Sequence, residues 1–233
     1  MYTTETPPRP MHRQFPDGPP LAGLAAVSTA LLLTGLIAST AMAGTTFPSP
    51  FDSGASILVY FHSHQDAVKV SAFFQFAAAV PLAIYAATAS VRLRNLGIRA
   101  PGASIAFAGG VLAAVFLAVS GVVSWALAQP AVPASAPLVR ALCALSFAAG
   151  GPGSVVPLGL LIAGLAVPAA FGALLPRWLV ATGLILAVAA EFASLCLLAS
   201  GFAYLLPVAR FGGLVWLITA GALLPTTRSR ASQ

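Results

Sequence analysis

Long stretches of this chain carry no formal charge. No Asp, Glu, Lys or Arg stands between Asp17 and Asp52, between Lys69 and Arg92, between Arg99 and Arg140, or between Arg140 and Arg177. Crossing a bilayer core about 30 Å thick takes about 20 apolar residues at a helical rise of about 1.5 Å. Composition bears out that reading. Of 233 residues, 59% are hydrophobic and 7% charged, and the mean hydropathy is +0.94, whereas soluble domains carry roughly 25% charged residues. Eleven basic and five acidic side chains cannot supply the polar shell of a soluble fold of this size. A soluble enzyme, a disordered chain and a nucleic-acid-binding domain are excluded. The pI of about 10.2 comes from scattered arginines and forms no basic cluster that would read as a nucleic-acid surface.

Proline, glycine and charge mark the boundaries of the predicted spans. Residues 1–20 are polar and proline-rich and read as a disordered cytoplasmic tail. The first span runs from Leu21 to Gly44, and the longest connection, 45–65, carries Pro48, Pro50, Asp52 and His62-Ser63-His64. Ala67 to Val91 forms the second span, followed by a loop with Arg92, Arg94 and Arg99. Pro101-Gly102 opens the third, which ends near Gln129, and Pro130, Pro133 and Pro137 mark a turn. Two more spans, at about 178–200 and 204–224, follow Pro176-Arg177, and a short tail, 225–233, carries Arg228 and Arg230. The stretch 137–175 would measure about 58 Å as one straight helix, too long for one upright crossing. Gly150-Gly151-Pro152-Gly153 and Pro157 interrupt it, so it is either two short crossings or one crossing built from a broken helix.

Arginine placement separates these two topologies, because basic residues concentrate on the cytoplasmic side. With one broken crossing there are six spans, both termini lie inside, and Arg9, Arg13, Arg92, Arg94, Arg99, Arg177, Arg228 and Arg230 are all cytoplasmic. Those are eight of the eleven basic residues. Two crossings would put Arg177, Arg228 and Arg230 outside, so six spans are expected. Ala41-Met42-Ala43 before Gly44 has the A-x-A form of a signal-peptide cleavage site, but the apolar run before it exceeds the usual 7–15 residues.

An ionisable group inside a span is costly and is a functional hypothesis by default. Glu191 lies in the fifth span. In an antiparallel hairpin turning near Gly201, Glu191 and Arg210 sit at matching depth, about 14 Å below the turn. They read as a structural ion pair or as part of a proton or cation path. Arg140 lies on the same outer side. His62, Asp66 and Lys69 have i, i+4, i+7 spacing and share a face if the second helix starts early enough. With Ser71 and Gln75 deeper on that helix, and Ser120 and Ser124 on the third, they suggest an outer polar vestibule above a dry inner half. The alternative places His62, Asp66 and Lys69 at the headgroup level. His62-x-His64 with Asp66 also has the form of a metal half-site, but the remaining histidine, His12, is predicted on the opposite side. Cys143 and Cys196 read as buried apolar groups or as a bridge at the outer ends of their spans. Gly109, Gly110, Ala113, Gly121 and Gly159 read as close-packing positions. The Gly150–Gly153 break could line a binding site, as in transporters, but no matching break occurs in a second repeat.

Catalytic sets are missing. The chain has no HExxH and no GxSxG, no histidine in any span after Gly153-Ser154 to act as a base, and no pair of carboxylates within spans. The expectation is a non-enzyme without metal or cofactor.

The run from Pro157 into Leu175-Pro176-Arg177-Trp178-Leu179, the second span passing through Tyr85 to Arg92 and Arg94, and the last span with Pro207 and Trp216-Leu217-Ile218 together resemble the DUF4386 family. This is a bacterial family of six-span membrane proteins of unknown function. The resemblance covers most of 21–224 in layout and implies six spans, but no activity. Members often carry a glutamate in the third span and another early in the sixth; here the third has none and the sixth has Arg210.

The sequence thus predicts an all-α, polytopic membrane helical bundle of six transmembrane helices over 21–224, with a broken fourth passage. Ten arginines against one lysine, with abundant Ala, Gly and Pro, point to GC-rich coding and a bacterial plasma (inner) membrane. The expected role is a non-enzymatic component that packs against the lipid bilayer and a second copy or another membrane protein, with no nucleic acid involved. The alternative is a small-solute or proton-coupled carrier subunit, with Glu191, Arg210 and Arg140 around the outer vestibule.

Overall fold

Pro20 and Gly44 bound the first helix, α1 (Leu21–Ala43). Gly44 takes the left-handed conformation (φ 67°) and donates its N–H to the Thr40 carbonyl, the usual stop for a helix whose last carbonyls need donors. The computed structural model that shows this describes residues 18–98, 100–130, 132 and 135–226. Most of the expected N-terminal tail, with Arg9, His12 and Arg13, lies outside the described residues, as do Arg99, Pro133, Arg228 and Arg230.

The remaining helices follow the same logic of local start and stop residues. Ser53 caps α2 (Gly54–Ser63) by accepting from the Ser56 N–H at 3.2 Å. His64 (φ −125°, ψ 36°) separates it from α3 (Gln65–Asn95). Pro101 precedes α4 (Gly102–Leu127), and α5 (Ala136–Ala148) begins with Pro137 in its first turn, where a missing N–H costs nothing. After the break at Ala149–Gly153 come α6 (Ser154–Phe171) and α7 (Arg177–Ala193), the latter entered through Pro176. Two tight 3₁₀ turns, Ser194–Leu197 and Ser200–Tyr204, lead into α8 (Leu205–Leu223).

Among the described residues, six segments are long and apolar enough to cross a membrane: Leu21–Ala43, Gln65–Asn95, Gly102–Leu127, Ala136–Phe171, Arg177–Leu197 and Ser200–Leu223. The protein is an all-helical multi-pass bundle, and 137–175 forms one broken span rather than two. The helices pack as a closed ring: α1 against α3, α3 against α4, α4 against α6, α6 against α7, α7 against α8, and α8 back against α1. The aliphatic and aromatic side chains facing away from the ring, such as Phe73, Ile84, Val115 and Ile185, are exposed, as expected for a lipid-facing surface.

Hydrophobic burial does not select partners between helices in lipid, so close backbone approach and interhelical hydrogen bonds do. At Gly109 a Cβ would stand 2.6 Å from the Leu161 nitrogen and 2.7 Å from the Pro157 carbonyl oxygen, so α4 and α6 touch backbone to backbone. Gly110 fits against Ala86, Gly121 against Ala72 and Phe76, and Gly159 against Ala187 and Ala190. The small residues are spent on contacts inside the ring. Ser28 Oγ donates to the Ala78 carbonyl (2.8 Å), Tyr85 Oη to the Leu217 carbonyl (3.1 Å) and Trp216 Nε1 to the Leu179 carbonyl (2.7 Å). These bonds tie α1 to α3, α3 to α8 and α8 to α7.

Two ends of the bundle differ. One carries the connections Gly44–Ser53 and 128–135 and the 3₁₀ turns; the other carries the α3–α4 and α6–α7 connections with Arg92, Arg94 and Arg177. At the first end a small second core of Ile57, Tyr60, Phe61, Val68, Leu127 and Val139 roofs the bundle with α2.

Candidate functional site

The site is built at a break in the fourth span, where Pro152 follows a non-helical glycine. Pro152 has no N–H, and Gly151 departs from helical geometry (φ −77°, ψ −107°). The Ser154 N–H then bonds to the Gly151 carbonyl instead of that of Gly150. The Gly150 carbonyl thereby loses its usual i+4 amide donor at membrane depth, where an unsatisfied carbonyl costs several kcal/mol. Two side chains satisfy it. Ser154 Oγ donates at 3.0 Å, and Arg210 of α8 donates through Nη2.

A chain of hydroxyls lies on the other side of the break. Gln75 Nε2 of α3 donates to Ser120 Oγ of α4 at 2.8 Å. Ser120 Oγ in turn donates to the Ser146 carbonyl of α5 at 2.8 Å, and Ser124 Oγ pairs with Ser146 Oγ at 2.8 Å. Gly150 is required against this cluster, since a Cβ there would fall within 3.1 Å of both Ser120 and Gln75.

Arg210, Gln75, Ser71, Ser120, Ser124 and Ser146 line a cavity of about 320 Å³ that runs from Arg210 up to the Phe47–Pro50 segment. This lies at the lower end of the size range for small-molecule sites. Phe47, Phe147, Leu206 and Phe211 supply apolar wall. Below Arg210, Leu32, Leu82, Leu117, Leu158 and Leu214 close the space to about 10 Å³. The roof segment is held by edge-on aromatic contacts of Phe47 with Tyr60 and Phe61 and of Phe51 with Phe147. Partial burial raises the Tyr60 phenol above its ordinary pKa.

Of the expected ionisable site residues His62, Asp66, Lys69, Arg140, Glu191 and Arg210, only Arg210 lines this cavity. Glu191 is exposed on the outer face of α7 and forms no ion pair with Arg210. Equal depth along two helices did not put them on facing sides. The buried stripe of α7 is Leu179, Val180, Gly183, Ala187, Ala190 and Ala193, and Glu191 falls about 100° round the helix from Ala190 and about 160° from Ala193. His62, Asp66 and Lys69 do not share one helix face, because the break at His64 places His62 on α2. Asp66 and Lys69 instead form an exposed i, i+3 pair at 3.0 Å, the only ion pair among the described residues. Arg140 is exposed, with its side chain against Gly54 of α2. Cys143 and Cys196 are free and buried, and no three His, Cys, Asp or Glu side chains gather as a metal site among the described residues.

The deeper residues Ser71, Gln75, Ser120 and Ser124 are brought together, as their spacing suggested. Ser146 and the Gly150 carbonyl were not expected there. The sequence carries a partial sign of both, since Ser146 lies four residues, about one helical turn, before the Gly150-Gly151-Pro152-Gly153 interruption.

No protein-family model, curated protein or solved structure matches the chain significantly.

Proposed function

We propose that this chain is a non-enzymatic protein of the bacterial plasma membrane, with both termini cytoplasmic, that admits a small polar solute from outside into the vestibule between its spans. It acts as a carrier or as the solute-binding subunit of one. The observation that carries this reading is the cavity of about 320 Å³ within the bundle, lined by Arg210, Gln75 and five serines above a leucine floor. Intramembrane ionisable residues that face a bundle interior mark solute or ion paths. The competing role, packing against a partner protein, draws less support. Gly109, Gly110, Gly121 and Gly159, which could have presented a docking face, are consumed by neighbours within the same chain. Proton coupling through Glu191 is likewise not favoured, because that carboxylate lies off the cavity.

The test is thiol accessibility in a Cys143→Ala, Cys196→Ala background. Ser71→Cys, on the cavity wall, should react with a membrane-impermeant reagent added outside intact cells, and Phe76→Cys, on the lipid face of the same helix, should not. An unreactive Ser71→Cys, in cells where Gly201→Cys is labelled, would overturn the vestibule.

A further inference from the structure

The vestibule carries an uncompensated positive charge. Arg210 is the only charged side chain on its wall, and no carboxylate lies within ion-pair distance of Arg210 among the described residues. Its one hydrogen bond among those residues goes to a neutral carbonyl, that of Gly150. A guanidinium offers five N–H donors in a planar fork matched to carboxylate oxygens. The remaining polar wall is neutral hydroxyl and amide, from Gln75, Ser39, Ser71, Ser120, Ser124 and Ser146. The upper wall is apolar and aromatic, from Phe47, Phe147, Leu206 and Phe211.

Resting on the vestibule reading above, we propose that its ligand class is a small organic monoanion, a carboxylate with a short apolar body. The carboxylate sits against the free donors of Arg210 beside the Gly150 break, and the body lies against Phe47 and Phe147. A cation is disfavoured by Arg210 itself. A neutral solute would leave the arginine without a counter-charge in a medium where an unpaired charge is expensive. A dianion would exceed the single charge the wall offers.

The test uses three probes of similar size and different charge: benzoate, benzamide and benzylamine. Each is titrated against thiol labelling of purified Ser71→Cys protein in nanodiscs, in the Cys143→Ala, Cys196→Ala background. Benzoate should protect at concentrations at least ten-fold below benzamide, and benzylamine should not protect. In the Arg210→Gln form the benzoate preference should vanish. The ranking in protein that retains Arg210 is decisive by itself, so the proposal does not depend on that variant folding. Equal protection by benzamide or benzylamine would overturn the anion assignment while leaving the vestibule standing. So would labelling without protection by any of the three. Failure of Ser71→Cys to label at all would instead overturn the vestibule.

Discussion

Arg210, near the middle of the last span, donates to the carbonyl of Gly150, at the break in the fourth. The bond joins the two features of the chain that are most costly in lipid, a charged side chain and a non-helical stretch of backbone, so that each offsets part of the other. The chain pairs its buried cation with a peptide dipole instead of a carboxylate.

A double-mutant cycle on Glu191→Gln and Arg210→Gln therefore measures little coupling. Glu191 is exposed and unpaired, so its single substitution should leave stability within about 0.5 kcal/mol of the parent, and the coupling energy should fall below about 0.5 kcal/mol. A cycle on Arg210→Gln and Ser154→Ala should instead couple, because both side chains serve the one Gly150 carbonyl. The removal of either donor leaves the other in place, and removal of both leaves the carbonyl without a side-chain donor. Thermal unfolding in detergent reads both cycles. Strong coupling between Glu191 and Arg210 would contradict the structure.

The difference between these cycles shows what a sequence of this kind makes legible. Span number and boundaries were readable because they depend on apolar length and on local stop residues such as Pro20, Gly44, Pro101 and Pro176. Depth was readable from helical rise. Azimuth was not. The turns at Ser194–Leu197 and Ser200–Tyr204 are wound at about 3 residues per turn rather than 3.6. That changes the phase with which α8 meets α7, and equidistance from Gly201 says nothing about which way Glu191 faces. The His62, Asp66 and Lys69 spacing failed for a related reason, since it assumed a helix running unbroken through His64. The polar cluster was half legible. Ser120 and Ser124 show their shared face by spacing, but their partner Ser146 comes from another helix, and only the tertiary fold supplies it.

Ser146 should behave as the hub of that cluster. Its carbonyl accepts from Ser120 and its hydroxyl pairs with Ser124. Ser146→Ala keeps the carbonyl bond and removes the hydroxyl's contacts with Ser124 Oγ (2.8 Å), Ser120 Oγ (3.2 Å) and the Ser120 carbonyl (3.4 Å), so a loss of about 0.5–1.5 kcal/mol is expected, the scale of interhelical hydrogen bonds in membrane proteins. Ser124→Ala made in the Ser146→Ala background should cost much less than in the parent, because the bond is already gone. Additive losses would show that the two hydroxyls do not pair.

The α4–α6 seam sets a contrast between two glycines. A methyl at Gly109 would press on the backbone of Pro157 and Leu161, whereas nothing lies within 4 Å of the position at Gly201. Gly109→Ala should therefore destabilise by about 1–3 kcal/mol, as overpacking does. Gly201→Ala should stay within about 0.5 kcal/mol of the parent. Comparable unfolding temperatures for the two variants would mean that α4 and α6 do not approach as closely as found here.

Orientation is the remaining property that a single labelling experiment decides. Asn95 ends α3 at one end of the bundle and Gly201 lies at the other, both exposed. In the proposed orientation the Asn95 end, with Arg92, Arg94 and Arg177, is the cytoplasmic one, as the positive-inside rule predicts. With both native cysteines replaced by alanine, Gly201→Cys should react in intact cells with an impermeant thiol reagent, and Asn95→Cys only after permeabilisation. The reverse pattern would turn the protein over and open its vestibule to the cytoplasm. Labelling of both from outside would contradict the number of crossings, because Asn95 and Gly201 are separated by three spans and must lie on opposite sides.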